Sequence, residues 1–439
     1  MHPPSASAGG SRPADSAPGG RRMAALRHRN FALFWFGSIF SNSGSWMQNI
    51  AQGWLVYTLT NSTFLLGVVA FARAVPLLVL PLVGGVVADR VPRLKLLKIT
   101  QTVSLVLALI FGILVSLRLI QVWQIIFLSF LSGIVSSFDQ PTQQALLPDL
   151  VPREELAGAI ALNSSTWQGA ALFGPTLAGL VIAFVSIAGA FYANAVSYLA
   201  VIVALFLMRG VPERSTAHTT SGVLADLRES FRYVGHTRLV ATLLALAALA
   251  SIFGRPYQQL LPVFARDVLH VGATGLGLMA SAPGAGALVG AAFVAAARSI
   301  DRKGRVLFGA MFVMSGSLIL LAWSTHFGIS IVALFLIGLT SILFSTMLST
   351  MLQLEAPPQM RGRVMSLMTI TMQGLNPFGA VLAGAFATVV GTPAAIAAGA
   401  VVVAIAALGA VVGAPHVRRF SSGASRDVIR SPADATTGD

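Results

Sequence analysis

Two arginines stand inside long apolar stretches of the sequence, at positions 73 and 255. A charged side chain within a bilayer is costly, so such a residue usually faces a cavity and marks a substrate or ion pathway. Counting about 1.5 Å per residue along apolar helices places both arginines in the same, outer half of a membrane. The chemistry this predicts is reversible binding of an anionic or zwitterionic amphiphile. The alternative, that each arginine snorkels outward or bonds to backbone carbonyls, stays open.

Uncharged polar side chains in four apolar stretches extend the same predicted cavity. Asn, Gln, Tyr and Trp groups can hydrogen-bond a ligand or stack on its planar part. Hydrogen bonding between helices is the alternative use of these groups. Together with the two arginines, the candidate cavity residues are Gln48, Asn49, Gln52, Arg73, Asn163, Trp167, Gln168, Arg255, Tyr257, Gln258, Gln373 and Asn376.

Signatures of catalysis are missing from the sequence. There is no cysteine, which excludes disulfides, thiolate nucleophiles and Cys-ligated metals. The sequence contains no HExxH pattern and no Walker A motif. Gly284-x-Gly286-x-x-x-Gly290 lies inside an apolar stretch with no preceding strand, so helix packing explains it better than a dinucleotide does. We therefore predict that the chain is not an enzyme and holds no cofactor or metal.

The elements that position these residues are predicted membrane helices. Apolar residues make up 55% of the 439 and charged residues only 10%, which excludes a soluble domain because too little charge is left for its surface. A membrane-spanning helix needs about 20 apolar residues. Twelve such segments recur, at 31–58, 65–88, 97–116, 121–147, 157–184, 188–208, 239–263, 273–296, 306–324, 328–352, 362–389 and 394–414.

The basic residues orient these segments. With the N-terminus in the cytoplasm, 25 of the 29 Lys and Arg residues fall on the cytoplasmic side and only Arg118 and Arg266 fall outside. This is the positive-inside pattern, and it predicts that both termini are cytoplasmic. The net charge of +14 is thereby explained without a nucleic-acid partner.

The segments divide into two six-helix bundles. We predict a disordered tail at 1–24, a first bundle at 25–208, a cytoplasmic loop at 209–238, a second bundle at 239–415 and a disordered tail at 416–439. Within the loop, Leu224, Leu227, Phe231 and Val234 share one helical face, which predicts an amphipathic helix.

The two halves also repeat each other in sequence. At a shift of 205 residues, nine of the eighteen positions from 162 to 179 are identical, including the pair Phe173-Gly174. At a shift of 212, Asp89-Arg90-x-x-Arg93 matches Asp301-Arg302-x-x-Arg305. Asp89 can cap a helix N-terminus there, where the helix dipole favours negative charge. We expect Arg93 to pair with Asp139, which depth counting places near the same face.

These motifs resemble the major facilitator superfamily of transporters. Gly85-x-x-x-Asp89-Arg90-x-x-Arg93 is similar to the family's loop 2–3 signature, and Ala297-x-x-x-Asp301-Arg302-Lys303-Gly304-Arg305 to its second copy. Ala170-x-x-x-Gly174-Pro175-x-x-Ala178-Gly179 resembles the antiporter motif of drug/proton exporters. The run from Asp139 to Leu156 resembles the subgroup of macrolide-type efflux pumps and the enterobactin exporter.

The resemblance implies an all-α membrane protein of twelve helices in two six-helix repeats. It implies a latch that holds the halves together in the outward-open state, formed by Gly85, Asp89, Arg90, Arg93, Asp139, Asp301, Arg302 and Arg305. For Asp139 a proton carrier is the alternative, and for Arg90 plain topology signalling. It also implies helix packing and a seal against leak at Gly169, Gly174, Pro175 and Gly179.

The predicted function is secondary active export of a small amphipathic, drug- or siderophore-like molecule, with protons as the coupling ion and the two halves rocking about a midplane site. The predicted location is the inner membrane of a bacterial cell. Two alternatives stay open. One is movement of a lysolipid or other lipid between leaflets, and the other is a transport-inactive receptor or scaffold.

Overall fold

The computed structural model describes residues 24–80, 91–211, 232–297, 300–418 and 420. This part of the chain is helical and contains no strand. Two short turns, Ala25–Arg27 and Pro415–Arg418, flank twelve long helices. We number the helices α1 (Arg29–Thr60), α2 (Thr63–Val79), α3 (Arg93–Ser116), α4 (Val122–Leu150), α5 (Leu156–Phe184), α6 (Ile187–Leu207), α7 (Arg238–Val268), α8 (Gly272–Ala296), α9 (Lys303–Trp323), α10 (Phe327–Glu355), α11 (Arg361–Val390) and α12 (Thr392–Gly413).

Ten of these helices, α3 to α12, are long and apolar enough to cross a membrane. Of the other two, α2 is apolar but has 17 residues, and α1 has 32 residues, many of them polar. Each predicted apolar segment falls on one helix, although the second, 65–88, continues past residue 80 into residues outside the described part. That all twelve helices cross, with both termini on one side, stays a prediction.

A short connection reverses the chain between α1 and α2, and similar short connections join α3 to α4, α5 to α6 and α7 to α8. Asn61 ends α1 in the left-handed region at φ 50°, and the Ser62 side chain accepts a hydrogen bond from the Leu65 amide, which begins α2. Helix ends therefore alternate between two sides of the bundle. We call the side where α1 begins and α12 ends the tail side, and the opposite side, where α1 meets α2, the far side.

The predicted domain boundaries stay a prediction. Most of the two predicted tails and most of the loop at 209–238 lie outside the described residues, including Leu224, Leu227 and Phe231 of the predicted amphipathic helix. Residues 232–236, at the end of that loop, form a single helical turn.

Each half has its own buried core. In the N-terminal half (α1–α6), the rings of Phe111 and Phe191 stack with centroids 4.9 Å apart between α3 and α6. In the C-terminal half (α7–α12), one large cluster of buried side chains connects α7 to α10 and α12. Large apolar side chains such as Phe184 and Val412 are mostly exposed on the outside of the bundle. Such an apolar outer surface fits contact with lipid.

The two halves meet where α5 packs on α8 and α2 packs on α11. A Cβ atom on Gly277 of α8 would lie 2.6 Å from the carbonyl oxygen of Pro175, and one on Gly67 of α2 would lie 2.5 Å from that of Ala380. Both distances are too short for any larger residue. Glycine is therefore required where the halves approach most closely.

Wide π-helical turns interrupt two helices of the C-terminal half. They cover Ala250–Gly254 and Phe264–Val268 in α7 and Ile370–Gly374 in α11. The Ser251 hydroxyl of the turn at Ala250–Gly254 donates to the Met372 carbonyl of the turn in α11 at 2.7 Å, so these two turns are in contact. Such turns occur often at functional sites because they free backbone groups and redirect side chains.

Candidate functional site

A cavity of about 650 Å³ lies between the two halves. Its walls come from α1, α2 and α5 on one side and from α7 to α11 on the other. This volume falls within the range typical of small-molecule sites, roughly 300–1,000 Å³.

Ten of the twelve predicted cavity residues line this space. They are Asn49, Gln52, Arg73, Trp167, Gln168, Arg255, Tyr257, Gln258, Gln373 and Asn376. The structure places these ten residues in the cavity wall. That they bind a substrate stays a prediction.

Gln48 and Asn163 were expected in the cavity but do not line it. The Gln48 side chain accepts a hydrogen bond from Asn194 at 2.6 Å inside the N-terminal half, because it lies on the face of α1 that packs on α6. Asn163 lies one helical turn closer to the tail side than Trp167. Its carbonyl accepts from the Thr166 hydroxyl at 2.7 Å.

Other cavity residues went unpredicted because their side chains are common in apolar helices. Ser341 and Ser345 of α10 and Met372 of α11 line the cavity, as does Gly284 of α8. Serine and methionine carry little signal in a membrane-helix sequence. No signal in the sequence would have found Ser341, Ser345 or Met372.

The two arginines face the cavity from opposite halves, each with a neutral partner. Arg73 donates to the Asn49 side chain, and Arg255 donates to the Met372 carbonyl at 3.5 Å. Neither forms an ion pair with a carboxylate of the described residues. A guanidinium has five N–H donors, so each arginine retains donors for an anion.

An aromatic pair lines the same cavity as the arginines. The rings of Trp46 and Trp167 lie 5.8 Å apart at 54°, and both residues line the cavity. Trp167 is 46% exposed, so one face of the pair is open to a ligand. The cavity thus combines cationic, amide and flat apolar surfaces.

The charged residues of the tail side pair differently from our expectation. Arg93 does not form the predicted ion pair with Asp139. It donates to the Asp149 carboxylate at 2.7 Å and to the Ala145 carbonyl at 2.8 Å. The reason is depth, because α4 runs on to Leu150 and Asp139 lies 11 residues before that end, about 16 Å away.

The remaining predicted latch residues are placed only in part. Gly85, Asp89 and Arg90 lie outside the described residues. Asp301, Arg302 and Arg305 are exposed at the tail-side start of α9, where they form no ion pair within the described chain. The latch therefore stays a prediction.

The predicted packing residues of α5 differ in how closely other helices approach them. A Cβ on Gly174 would lie 2.6 Å from the Trp46 Cβ, and one on Gly179 would lie 2.7 Å from the Ala273 carbonyl oxygen of the other half. Pro175 is buried within α5, and its carbonyl faces Gly277. Gly169 contradicts our expectation, because a Cβ there would meet nothing within 4 Å.

The far side is closed by contacts between the halves. Tyr57 of α1 donates to the Asp267 carboxylate of α7, and Arg266 donates to the Asn61 side chain at 2.8 Å. The Thr63 hydroxyl donates to the Gly384 carbonyl at 2.9 Å. Every hydrogen bond that joins the halves through described residues lies in the far half of the bundle. The cavity is therefore sealed from the far side.

Comparisons with known proteins agree with this architecture. Residues 21–433 match the family described as transmembrane secretion effector, in the major facilitator superfamily. The staphyloferrin A transporter of Staphylococcus aureus is 30% identical over 240 residues, which are 54% of this chain and 59% of that protein, less than two thirds of its length. The multidrug efflux pump Tap of Mycolicibacterium fortuitum is 26% identical over 377 residues, 82% of this chain and 89% of the pump.

Solved structures share the fold. A bacterial homologue of the human lysosomal transporter Spinster, in an inward-facing and unoccupied conformation, superposes with a TM-score of 0.61 at 15% identity. The match covers 95% of this chain and all of that one.

Proposed function

Because the chain belongs to the transmembrane secretion effector family of the major facilitator superfamily, a family of membrane transporters and not of enzymes, we propose that it exports a small amphipathic anion or zwitterion by secondary active transport. The observation that carries this proposal is the central cavity, which presents Arg73 and Arg255 from opposite halves. The named relatives, a siderophore transporter and a drug efflux pump, support export of a small molecule.

The charge balance of the cavity favours an anionic group on the substrate. Its described lining contains two arginines and no Asp or Glu. A cation would be repelled by both arginines and would find no carboxylate there. The Trp46–Trp167 pair offers a flat apolar surface to the rest of the molecule. An amphiphile with one anionic end and one planar or apolar end satisfies both features.

Alternating access follows from where the halves touch. The far-side contacts hold one entrance shut, so a rocking of the halves that breaks them would open the cavity to that side. The distribution of Lys and Arg supports a cytoplasmic tail side. With that orientation, and with all twelve helices crossing the inner membrane of a bacterium, closure on the far side leaves the cytoplasmic side as the entrance through which the substrate enters the cavity. Protons are the proposed coupling ion, supported by the resemblance to drug/proton exporters.

Everted membrane vesicles with an interior pH dye test this function. After energisation we would add macrolides, lipophilic cations, catecholate siderophores and lysolipids in turn. We expect dye recovery with the siderophores or another anionic class, and its loss in Arg255→Gln at normal folded yield. Arg153→Gln is the matched control, because Arg153 is an exposed arginine in a tail-side loop away from the cavity.

Three results would contradict the proposal. Recovery only with lipophilic cations would refute an anionic substrate. Normal dye recovery in Arg255→Gln would show that Arg255 does not bind the substrate. If no compound produced dye recovery, and lysolipids moved in vesicles without a proton gradient, the function would be lipid transfer between leaflets and not export.

A further inference from the structure

Two carboxylates on α4 have opposite surroundings. Asp149 is paired with Arg93, and its side chain is only 6% exposed. Ten residues earlier, the Asp139 carboxylate accepts from Thr100 at 2.6 Å, Gln101 at 2.9 Å and Gln143 at 2.6 Å, all of them neutral. An arginine partner keeps a carboxylate ionised, whereas neutral donors in a membrane interior leave it free to take a proton.

The Asp139 site satisfies both the ionised and the protonated form. The Thr100 hydroxyl lies 2.6 Å from Asp139 and 3.1 Å from the Leu97 carbonyl, within hydrogen-bonding distance of both. When Asp139 is ionised, Thr100 donates to it. When Asp139 carries a proton, its O–H donates to the Thr100 oxygen, and the Thr100 hydroxyl turns to the Leu97 carbonyl. The buried Gln101 Oε1, which has no hydrogen-bond partner in the described part of the chain, is a further acceptor beside it.

No cation of the described residues competes for Asp139. On α3, Arg93 is held by Asp149, Lys95 is exposed, and the Lys98 amine lies over the Phe206 ring, 4.2 Å from its centroid. On α2, Arg73 is bonded to Asn49. Of the other helices packed on α4, α5 has no charged residue, and α1 has only the arginine at its first position.

A column of polar side chains leads from Asp139 to the central cavity. Gln101 and Gln143 line a small cavity of about 10 Å³ together with Ser38, Ser41 and Asn42. One helical turn farther along, a second cavity of about 20 Å³ is lined by Ser45, Gln48, Arg73, Ser104, Ser132, Ser136, Asn194 and Tyr198. Each has room for about one water molecule and several polar partners for it. Arg73 lines both this second cavity and the central one.

We propose that Asp139 is the proton-binding carboxylate of this transporter and that the polar column conducts the proton between it and the cavity at Arg73. Water supplies and removes the proton, and no other bond changes. The role in coupling rests on the proposed proton antiport, whereas proton binding itself does not.

Infrared spectroscopy of the reconstituted full-length protein tests proton binding without a transported compound. A pH change should produce the carbonyl stretching band of a protonated carboxylic acid. We expect that band to be lost in Asp139→Asn, shifted but present in Asp139→Glu, and unchanged in Asp149→Asn. Thr100→Val should move the pH midpoint of the band. An unchanged band in Asp139→Asn would overturn the proposal.

Transport measurements distinguish a failure of the proposed proton site from a failure of the proposed export function. In the vesicle assay, Asp139→Asn should lose dye recovery with whichever compound class the wild type exports, yet retain equilibrium exchange of that compound. Retained dye recovery in Asp139→Asn would refute the proton site and leave export standing. A wild type that shows the infrared band but no dye recovery with any class would refute export and leave the proton site standing.

Discussion

The hydroxyl of Tyr57 offers a direct test of the far-side closure. It donates to Asp267 from the opposite half, and Tyr57 itself is only 4% exposed. Tyr57→Phe removes this single bond but keeps the ring, over which the Arg266 guanidinium lies at 5.3 Å. The substitution therefore isolates one hydrogen bond between the halves.

The expected magnitude follows from the partner's charge and exposure. A hydrogen bond to a charged group contributes about 1.5–3 kcal/mol. Because the Asp267 side chain is 47% exposed, we take the lower end, about 1.5 kcal/mol. That free energy corresponds to about a tenfold shift of the equilibrium toward the conformation that is open on the far side. Asp267→Asn keeps a neutral hydrogen bond, so its shift should be smaller.

Spin labels on the two halves measure this equilibrium. The chain has no cysteine, so Leu119→Cys and His326→Cys, both at exposed far-side connections, give a single label pair without background. Double electron–electron resonance should show a larger long-distance population in Tyr57→Phe. The matched control is Tyr192→Phe, which loses a hydrogen bond to Ser116 within one half.

The outcomes discriminate clearly. An unchanged distance distribution in Tyr57→Phe would refute the idea that this bond holds the far side shut. An equal shift in Tyr192→Phe would show that any lost tyrosine bond loosens the bundle, and would remove the specific role of the pair between the halves.

Three further substitutions follow from contacts in the structure. Arg255→Lys keeps the charge but loses the planar fork of donors, so export should fall at least tenfold with normal folded yield, measured as initial rate in the vesicle assay. Gly277→Val places a side chain against Pro175 and should cost about 1–3 kcal/mol, seen as a lower melting temperature in detergent, whereas Gly316→Ala, in open space within α9, should not lower it. Arg93→Gln leaves buried Asp149 without its cation and should cost about 3–5 kcal/mol, and adding Asp149→Asn should restore most of the melting temperature.

The sequence predicted those parts of the structure that depend on one helix at a time. Apolar length located each helix, and the rule that a charge in a membrane needs a cavity located Arg73 and Arg255. The prediction from sequence failed where a contact depended on the depth of one helix relative to another. Arg93 was assigned to Asp139 because counting along α4 does not show which of its two acids lies level with the start of α3.

Contacts between the halves were also beyond the sequence. Tyr57 and Asp267 are 210 residues apart, and neither lies in a motif that marks the other. Gly169 belongs to the same small-residue pattern as Gly179, yet only Gly179 faces the other half closely. Spacing along a helix shows on which face of the helix a residue lies. Which neighbouring helix packs on that face depends on the tertiary arrangement.

The π-helical turn at Ala250–Gly254 has a consequence for insertions and deletions in α7. Such a turn holds one residue more than a regular turn of the helix does. Removing one of its five residues would let α7 continue as an ordinary α-helix with Arg255 still facing the cavity. Removing one residue elsewhere on the tail-side part of α7 would instead rotate everything beyond it by about 100° relative to the helix start. The turn is therefore a position in the tail-side part of this helix where a change in length is absorbed locally, and such a change leaves Arg255 facing the cavity.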